Sequence, residues 1–328
     1  MAHLSEPIRT TEVPPALAKC QVMGFLDRLR KGGGRETPAP FVVGVARSGT
    51  TLLRMMLDAH PALAIPPETH FIPKLIKACE DPGADARENA IALLRGHRRW
   101  PDFQLDADEL SRRFDQIEPF SAGEALRAFY SSYAADQRKE RWGDKTPGYA
   151  RRMRKIESVL PEAHFIHLIR DGRDVTLSQL EVHHGAESVE GAAKNWVGGI
   201  EKARRNAGRV RNYIEVRYED LVAEPEPVLR RICAFIALPF DDAMLSYHER
   251  ADERMSEIAR DFDRQGESAI SAEVRASQHS RVASPPQTAR AGRWRTEMSE
   301  TDRKAFEAVA ADLLADLGYE LENSAGNG

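Results

Sequence analysis

A three-layer α/β fold, with a central parallel sheet and helices on both faces, is predicted by three observations. Strand-like apolar runs near 41–45, 164–169 and 213–217 alternate with helical patterns. The first run ends in a glycine-bearing turn, GVARSG, and the second in a charged turn, RDGRD, each opening straight into a helix. Adjacent parallel strands present such turns at one edge, where α/β folds bind ligands.

The 328 residues are 41% hydrophobic and 30% charged, enough for one large domain with inserts. A net charge of -4 gives no overall footprint for nucleic acid. Cys20, Cys79 and Cys233 are isolated, without the spacing of a disulfide scaffold or a zinc site. No run approaches the ~18 apolar residues of a membrane span, and residues 1–15 lack a signal-peptide core, so a cytoplasmic chain without a transmembrane segment is expected.

Residues 1–40 read as an N-terminal arm and linker. They carry Pro14-Pro15, a short amphipathic stretch and Gly32-Gly33-Gly34, a triplet that follows no strand and opens no helix. Phe41-Val42-Val43 then leads through Gly44 and Gly49 into a helix marked by Leu52, Leu53, Met56 and Leu57. Backbone N–H groups of Ser48 to Thr51 are expected to face outward at that helix N-terminus, where unpaired donors and the helix dipole favour an anion. The Gly44-x4-Gly49 spacing is P-loop-like, but Thr50 stands where a Walker A loop has lysine, which argues against a P-loop kinase or NTPase. Arg47 supplies a cation from inside the loop. Read alone, the loop is also consistent with a glycine turn joining a buried strand to a helix.

The segment FVVGVARSGTTLLRMMLDAHP, followed by PPETHFIPKL, resembles sulfotransferases that use 3′-phosphoadenosine-5′-phosphosulfate (PAPS), in particular the tyrosylprotein sulfotransferase branch. The resemblance implies that Arg47, Ser48, Gly49, Thr50 and Thr51 surround the phosphosulfate and that Glu68 is the general base. Read without it, Glu68 is a first-turn carboxylate on the helix dipole. His70 stands where those enzymes have arginine, and they are membrane-anchored.

A charged helical insertion is expected over about 84–138, with helices near 85–96, 107–114 and 121–138 and aromatic residues forming its core. Arg141 to Pro147 reads as a short strand stopped by proline. The resemblance makes Lys145, within DKTP, the residue that polarises the leaving phosphate, whereas the residues alone suggest a solvated lysine. A helix over 148–159 precedes the second long strand. His164 and His167 face opposite sides of that strand and do not form a metal pair. The resemblance assigns Arg170 and Ser178 to the 3′-phosphate, while Val182 stands where the tyrosylprotein enzymes have another arginine. Arg173 and Asp174 are read as a surface salt-bridge cluster of little energetic weight.

Helices are expected at 188–209, 226–237, 241–249 and 299–317, with a lid loop over about 250–292 and a tail at 321–328. The basic end of the first, Lys202 to Arg211, has a local explanation in the helix dipole. The resemblance places Tyr218 beside the adenosine and has Arg293, before Trp294, close over the nucleotide. The expected activity is transfer of the sulfuryl group from PAPS to an acceptor hydroxyl, leaving 3′-phosphoadenosine-5′-phosphate (PAP), without a metal. A non-catalytic PAP-binding module is the alternative outside catalysis. Small-molecule, sugar, lipid and peptide-tyrosine acceptors all stay open, as does a homodimer.

Overall fold

The structure is a computed structural model that describes residues 37–80, 85–181, 186–256, 262–264, 267–270 and 280–321. The expected arm, apart from its last four residues, Val182, most of the tail and much of the expected lid lie outside these residues.

Four parallel strands form the central sheet in the order β4 (Asp144–Lys145), β1 (Ala39–Gly44), β5 (Ala163–Ile169) and β6 (Tyr213–Arg217). A two-residue pair, β2 (Leu63–Ala64) and β3 (Arg141–Trp142), runs parallel beside it. β1 is buried along its whole length, which is why it reads as a continuous apolar run. Strand alternation divides its side chains between two cores. Val42, Ile166 and Leu168 pack with α1 (Thr50–Asp58), and Phe41, Val43 and Phe165 pack with α2 (Ile72–Cys79).

The expected insertion holds α3 (Ala86–Arg95), α4 (Ala107–Asp115) and α5 (Ala122–Asp136). Each starts at a side-chain cap: Asp85, Asp106 and Ser121 accept hydrogen bonds from first-turn N–H groups. Its aromatic residues are core, with Phe71 and Phe129 edge-to-face at 5.0 Å and Tyr130 stacked on Trp142 at 4.7 Å. α6 (Gly172–Leu180) follows β5. A further core joins Ile169 and Val175 to α7 (Val189–Ala207) and to α10 (Glu300–Asp316). α8 (Tyr218–Ala223) and α9 (Pro225–Phe235) complete the α1 side.

Three expectations need correction. The helix over 148–159 is a 3-10 turn, Pro147–Arg151, and a short helix, Met153–Glu157, separated at Arg152 (φ -129°). The break lets the Tyr149 hydroxyl reach Thr69 while Met153 and Ile156 stay in the core. The helix over 241–249 is instead two 3-10 turns, Asp242–Met244 and Tyr247–Arg250, because Met244 and Tyr247 each anchor separately in the α1 core. The stretch 250–292 is not all loop: it contains a helix, Ala251–Ser256, and an antiparallel strand pair, Phe262–Arg264 and Glu267–Ile270. Arg254 roots that helix by donating to Asp58 at 3.0 Å and to the Tyr133 hydroxyl at 2.8 Å. Among the described residues no helix is long and apolar enough to cross a membrane.

Candidate active site

The loop between β1 and α1 is shaped by two left-handed residues, Arg47 at φ 74° and Gly49 at φ 92°. Glycine at position 49 also has a packing reason, since a Cβ there would lie 2.4 Å from the Tyr218 ring. The Ser48 N–H turns back to the Val45 carbonyl at 3.2 Å, so the donors facing outward begin at Gly49 rather than Ser48. No side chain caps α1. Its first-turn N–H groups therefore suit an external anion. Ser48 and Thr50 are buried, and Thr51 is half-buried.

The neighbouring turn after β5 meets this loop. Arg47 Nε donates to Ser178 Oγ at 3.1 Å. Arg170 donates to the Arg47 carbonyl at 3.3 Å and to the Arg290 carbonyl at 2.6 Å, and its guanidinium lies 4.5 Å from the Tyr218 ring centre. Buried Arg170 Nε has no hydrogen-bond partner among the described residues. A buried guanidinium donor left without a partner is costly, and a phosphate oxygen is one group that would satisfy it. Arg47, Ser178, Arg170 and Tyr218, on four different elements, are thus brought together.

The third component comes from β4 and the segment after α1. Lys145 Nζ donates to Glu68 Oε1 at 2.6 Å and to Thr51 Oγ1 at 3.4 Å. His70 Nε2 lies 2.8 Å from Glu68 Oε2, and Arg99 lies 4.0 Å from the same oxygen. Burial pushes the Glu68 carboxyl up, but Lys145, His70 and Arg99 together outweigh it and hold the group well below the usual carboxylate range. Burial lowers Lys145 while Glu68 partly restores it. Lys145 is not a solvated lysine.

Arg173 and Asp174 do not form a surface cluster. Both are buried. Arg173 donates to Asp171 at 2.8 Å and to Glu307 at 2.7 Å, with its guanidinium 3.4 Å from the Trp294 ring centre. Breaking a buried pair of this kind costs about 3–5 kcal/mol, because a charge is left unpaired. Asp174 accepts the N–H groups of Gly292 and Trp294 at 2.7 and 2.9 Å and lies 3.7 Å from Arg170. It ties the segment before α10 to the Arg170 turn. Arg293 is held by Glu181 and Glu297, and no described contact brings it to the loop.

The chain matches the Sulfotransferase family over residues 38–242, a span that contains both turns, Glu68 and Lys145. The chain belongs to the sulfotransferase family. It is similar to protein-tyrosine sulfotransferase A of Caenorhabditis elegans, with 27% identity over 71% of this chain and 59% of the relative. The protein-tyrosine sulfotransferase of Drosophila melanogaster is 29% identical over 66% of this chain and 41% of the relative. The chain therefore spans only about half the length of these two relatives. Among solved structures, the sulfotransferase domain of the Synechococcus PCC 7002 olefin synthase superposes with a TM-score of 0.56 at 25% identity, covering 89% of this chain and 98% of that one. The P-loop-like sulfotransferase fold expected from the sequence is the observed fold.

Sequence reasoning missed Thr69, Arg99, Asp144 and the role of Asp174. Asp144 carried a faint signal, because strand alternation places the neighbour of an active-site lysine in the core. Arg99 and Asp174 carried none, since their contacts are made across 31 and more than 115 residues.

The Arg170 assignment has a direct check. If Arg170 holds the 3′-phosphate, Arg170→Ala is expected to weaken PAP binding by ~10-fold or more, because a charge-assisted contact would be lost. Calorimetric titration giving wild-type affinity would remove Arg170 from the phosphate site.

Proposed function

We propose that this protein moves the sulfuryl group of PAPS to an acceptor hydroxyl by in-line displacement. The contact that carries the reading is Lys145 bridging Glu68 and Thr51, a cation poised between a carboxylate and the anion-suited helix N-terminus. PAPS lies with its phosphosulfate on Gly49, Thr50 and Thr51 and its 3′-phosphate against Arg170 and Ser178. Tyr218 flanks the adenosine. The acceptor oxygen attacks sulfur, the bond from sulfur to the bridging phosphate oxygen breaks, and the acceptor proton passes to Glu68. Arg47, Lys145 and the loop amides stabilise the negative charge that builds on the departing PAP. As in phosphoryl transfer, positioning and electrostatics supply most of the rate.

Family membership and Thr50 at the Walker lysine position count against the kinase or NTPase alternative. For the acceptor, the names of the two relatives make a tyrosine-containing peptide the first compound to try, ahead of a sugar, a lipid or a small alcohol.

Thermal unfolding without Mg²⁺ tests the donor. PAP at 100 times its dissociation constant should stabilise the fold by about 2.7 kcal/mol, and ADP far less. Equal shifts for the two nucleotides would defeat the 3′-phosphate assignment. Mass spectrometry of a cell extract incubated with protein and PAPS tests catalysis, since absence of any new sulfated product would leave only a PAP-binding module.

A further inference from the structure

Glu68 and Lys145 meet at the loop, and their immediate neighbours meet a second time in the core. β4 pairs with β1 as Phe41↔Asp144 and Val42↔Lys145, and alternation sends Asp144 and Lys145 to opposite faces. Fully buried Asp144 accepts, at one oxygen, from Thr69 Oγ1 and from the Tyr130 hydroxyl, both at 2.8 Å. Thr69 is also fully buried. Its hydroxyl lies 2.9 Å from that of Tyr149, and its N–H donates to Thr146 Oγ1 at 3.1 Å. The Tyr149 oxygen in turn accepts the Ile72 N–H at the start of α2, at 3.1 Å.

This arrangement matters because residues 65–71 belong to no helix or strand, and His70 sits at φ 54°. The backbone carrying Glu68 has no ladder to hold it. Lys145 has a long flexible stem, so a fixed contact with Glu68 needs both backbones fixed. Among the described residues, hydrogen bonds from Thr69 adjoin both residues, Thr69 Oγ1 to Asp144 at 2.8 Å and the Thr69 N–H to Thr146 Oγ1 at 3.1 Å, and the one to Asp144 is the shorter.

We propose that Asp144, acting through Thr69, is a positioning residue that sets the distance between Glu68 and Lys145. The proposal rests on the reading of Glu68 as the base. The charged or titratable groups facing Glu68 are Lys145, His70, Arg99 and Tyr149, and those around Asp144 are Tyr130, Tyr149 and His70. Burial raises the Asp144 carboxyl, and the hydroxyls of Thr69 and Tyr130 partly offset this. A buried acceptor with two hydroxyl donors is directional, and losing one donor loosens the chain on that side.

Thr69→Val removes the hydroxyl and nearly keeps the volume, whereas Thr69→Ser keeps the hydroxyl. In Thr69→Val, kcat should fall ~10- to 100-fold with PAP affinity little changed, as expected for a misplacement of about an ångström. Carbon-13 NMR of the Glu68 carboxylate, assigned by its loss in Glu68→Gln, should show the titration moving up by ~1 pH unit as the Lys145 contact loosens. Thr69→Ser should keep most of the rate and the low titration. If Thr69→Val does not fold, Asp144→Asn is read by the same two measurements. An unmoved titration with wild-type kcat overturns the proposal, and so does equal damage from Val and Ser at position 69. The NMR shift needs no turnover, so it stands apart from the fate of the base assignment, which Glu68→Gln decides.

Discussion

Glu68→Gln is expected to lower sulfuryl transfer by ~10²–10⁴ while PAP affinity changes little. The amide keeps size and hydrogen bonding but takes no proton from the acceptor hydroxyl. In the wild type the Lys145 ammonium, His70 and Arg99 hold the Glu68 carboxyl well below the usual carboxylate range. A base works when ionised, so the rate falls as pH drops through its pKa, and depressing that pKa moves the acid limb of kcat/KM to lower pH. The profile should therefore stay flat from neutrality down past the ordinary glutamate value of about 4.3. Near-wild-type transfer by Glu68→Gln would end the base assignment. His70, 2.8 Å away, would be the next candidate, tested by transfer in His70→Gln.

The low pKa also bears on when Glu68 acts. A carboxylate paired at 2.6 Å with an ammonium is a poor proton acceptor. On the proposed reading, the bridging oxygen of PAPS bound at the loop would compete for Lys145, weaken the pairing and make Glu68 the stronger base, so that donor binding would prepare acceptor deprotonation.

The parts of this site that were legible in the sequence are those made by consecutive residues. Gly44 to Thr51 announces a strand, a tight loop and a helix because each element takes its residues from one short window. The 3.6-residue period likewise marked α5, α7 and α10, and short apolar runs marked the three longest strands. Contacts between distant windows left no such trace. Arg173 and Asp174 look like surface charges within RDGRD, and only the arrival of Trp294, Gly292 and Glu307 from the C-terminal region buries them. Lys145 read as solvated for the same reason: its partner Glu68 is 77 residues away. The helix over 148–159 was misread because its pattern is sound, while the need for Tyr149 to reach Thr69 and Ile72 breaks it at Arg152.

Lys145→Ala is expected to cost ~10²–10³ in kcat at saturating donor and acceptor, the range found when one preorganised donor to a developing oxyanion is removed. PAP binding should weaken less, because loop amides, Arg47 and Arg170 still hold the phosphates. The variant also alters its neighbour in a way that identifies it. With the ammonium gone, burial still pushes the Glu68 carboxyl up and one of the groups holding it down is lost, so the acid limb should move to higher pH. Lys145→Arg should keep the acid limb low while restoring only part of kcat, since a guanidinium retains the charge but places its donors differently. A purely structural lysine predicts lower stability with unchanged kcat and an unchanged profile. Kinetics of both variants from pH 4 to pH 8 separate these outcomes, and an unaltered kcat in Lys145→Ala would remove Lys145 from the reaction.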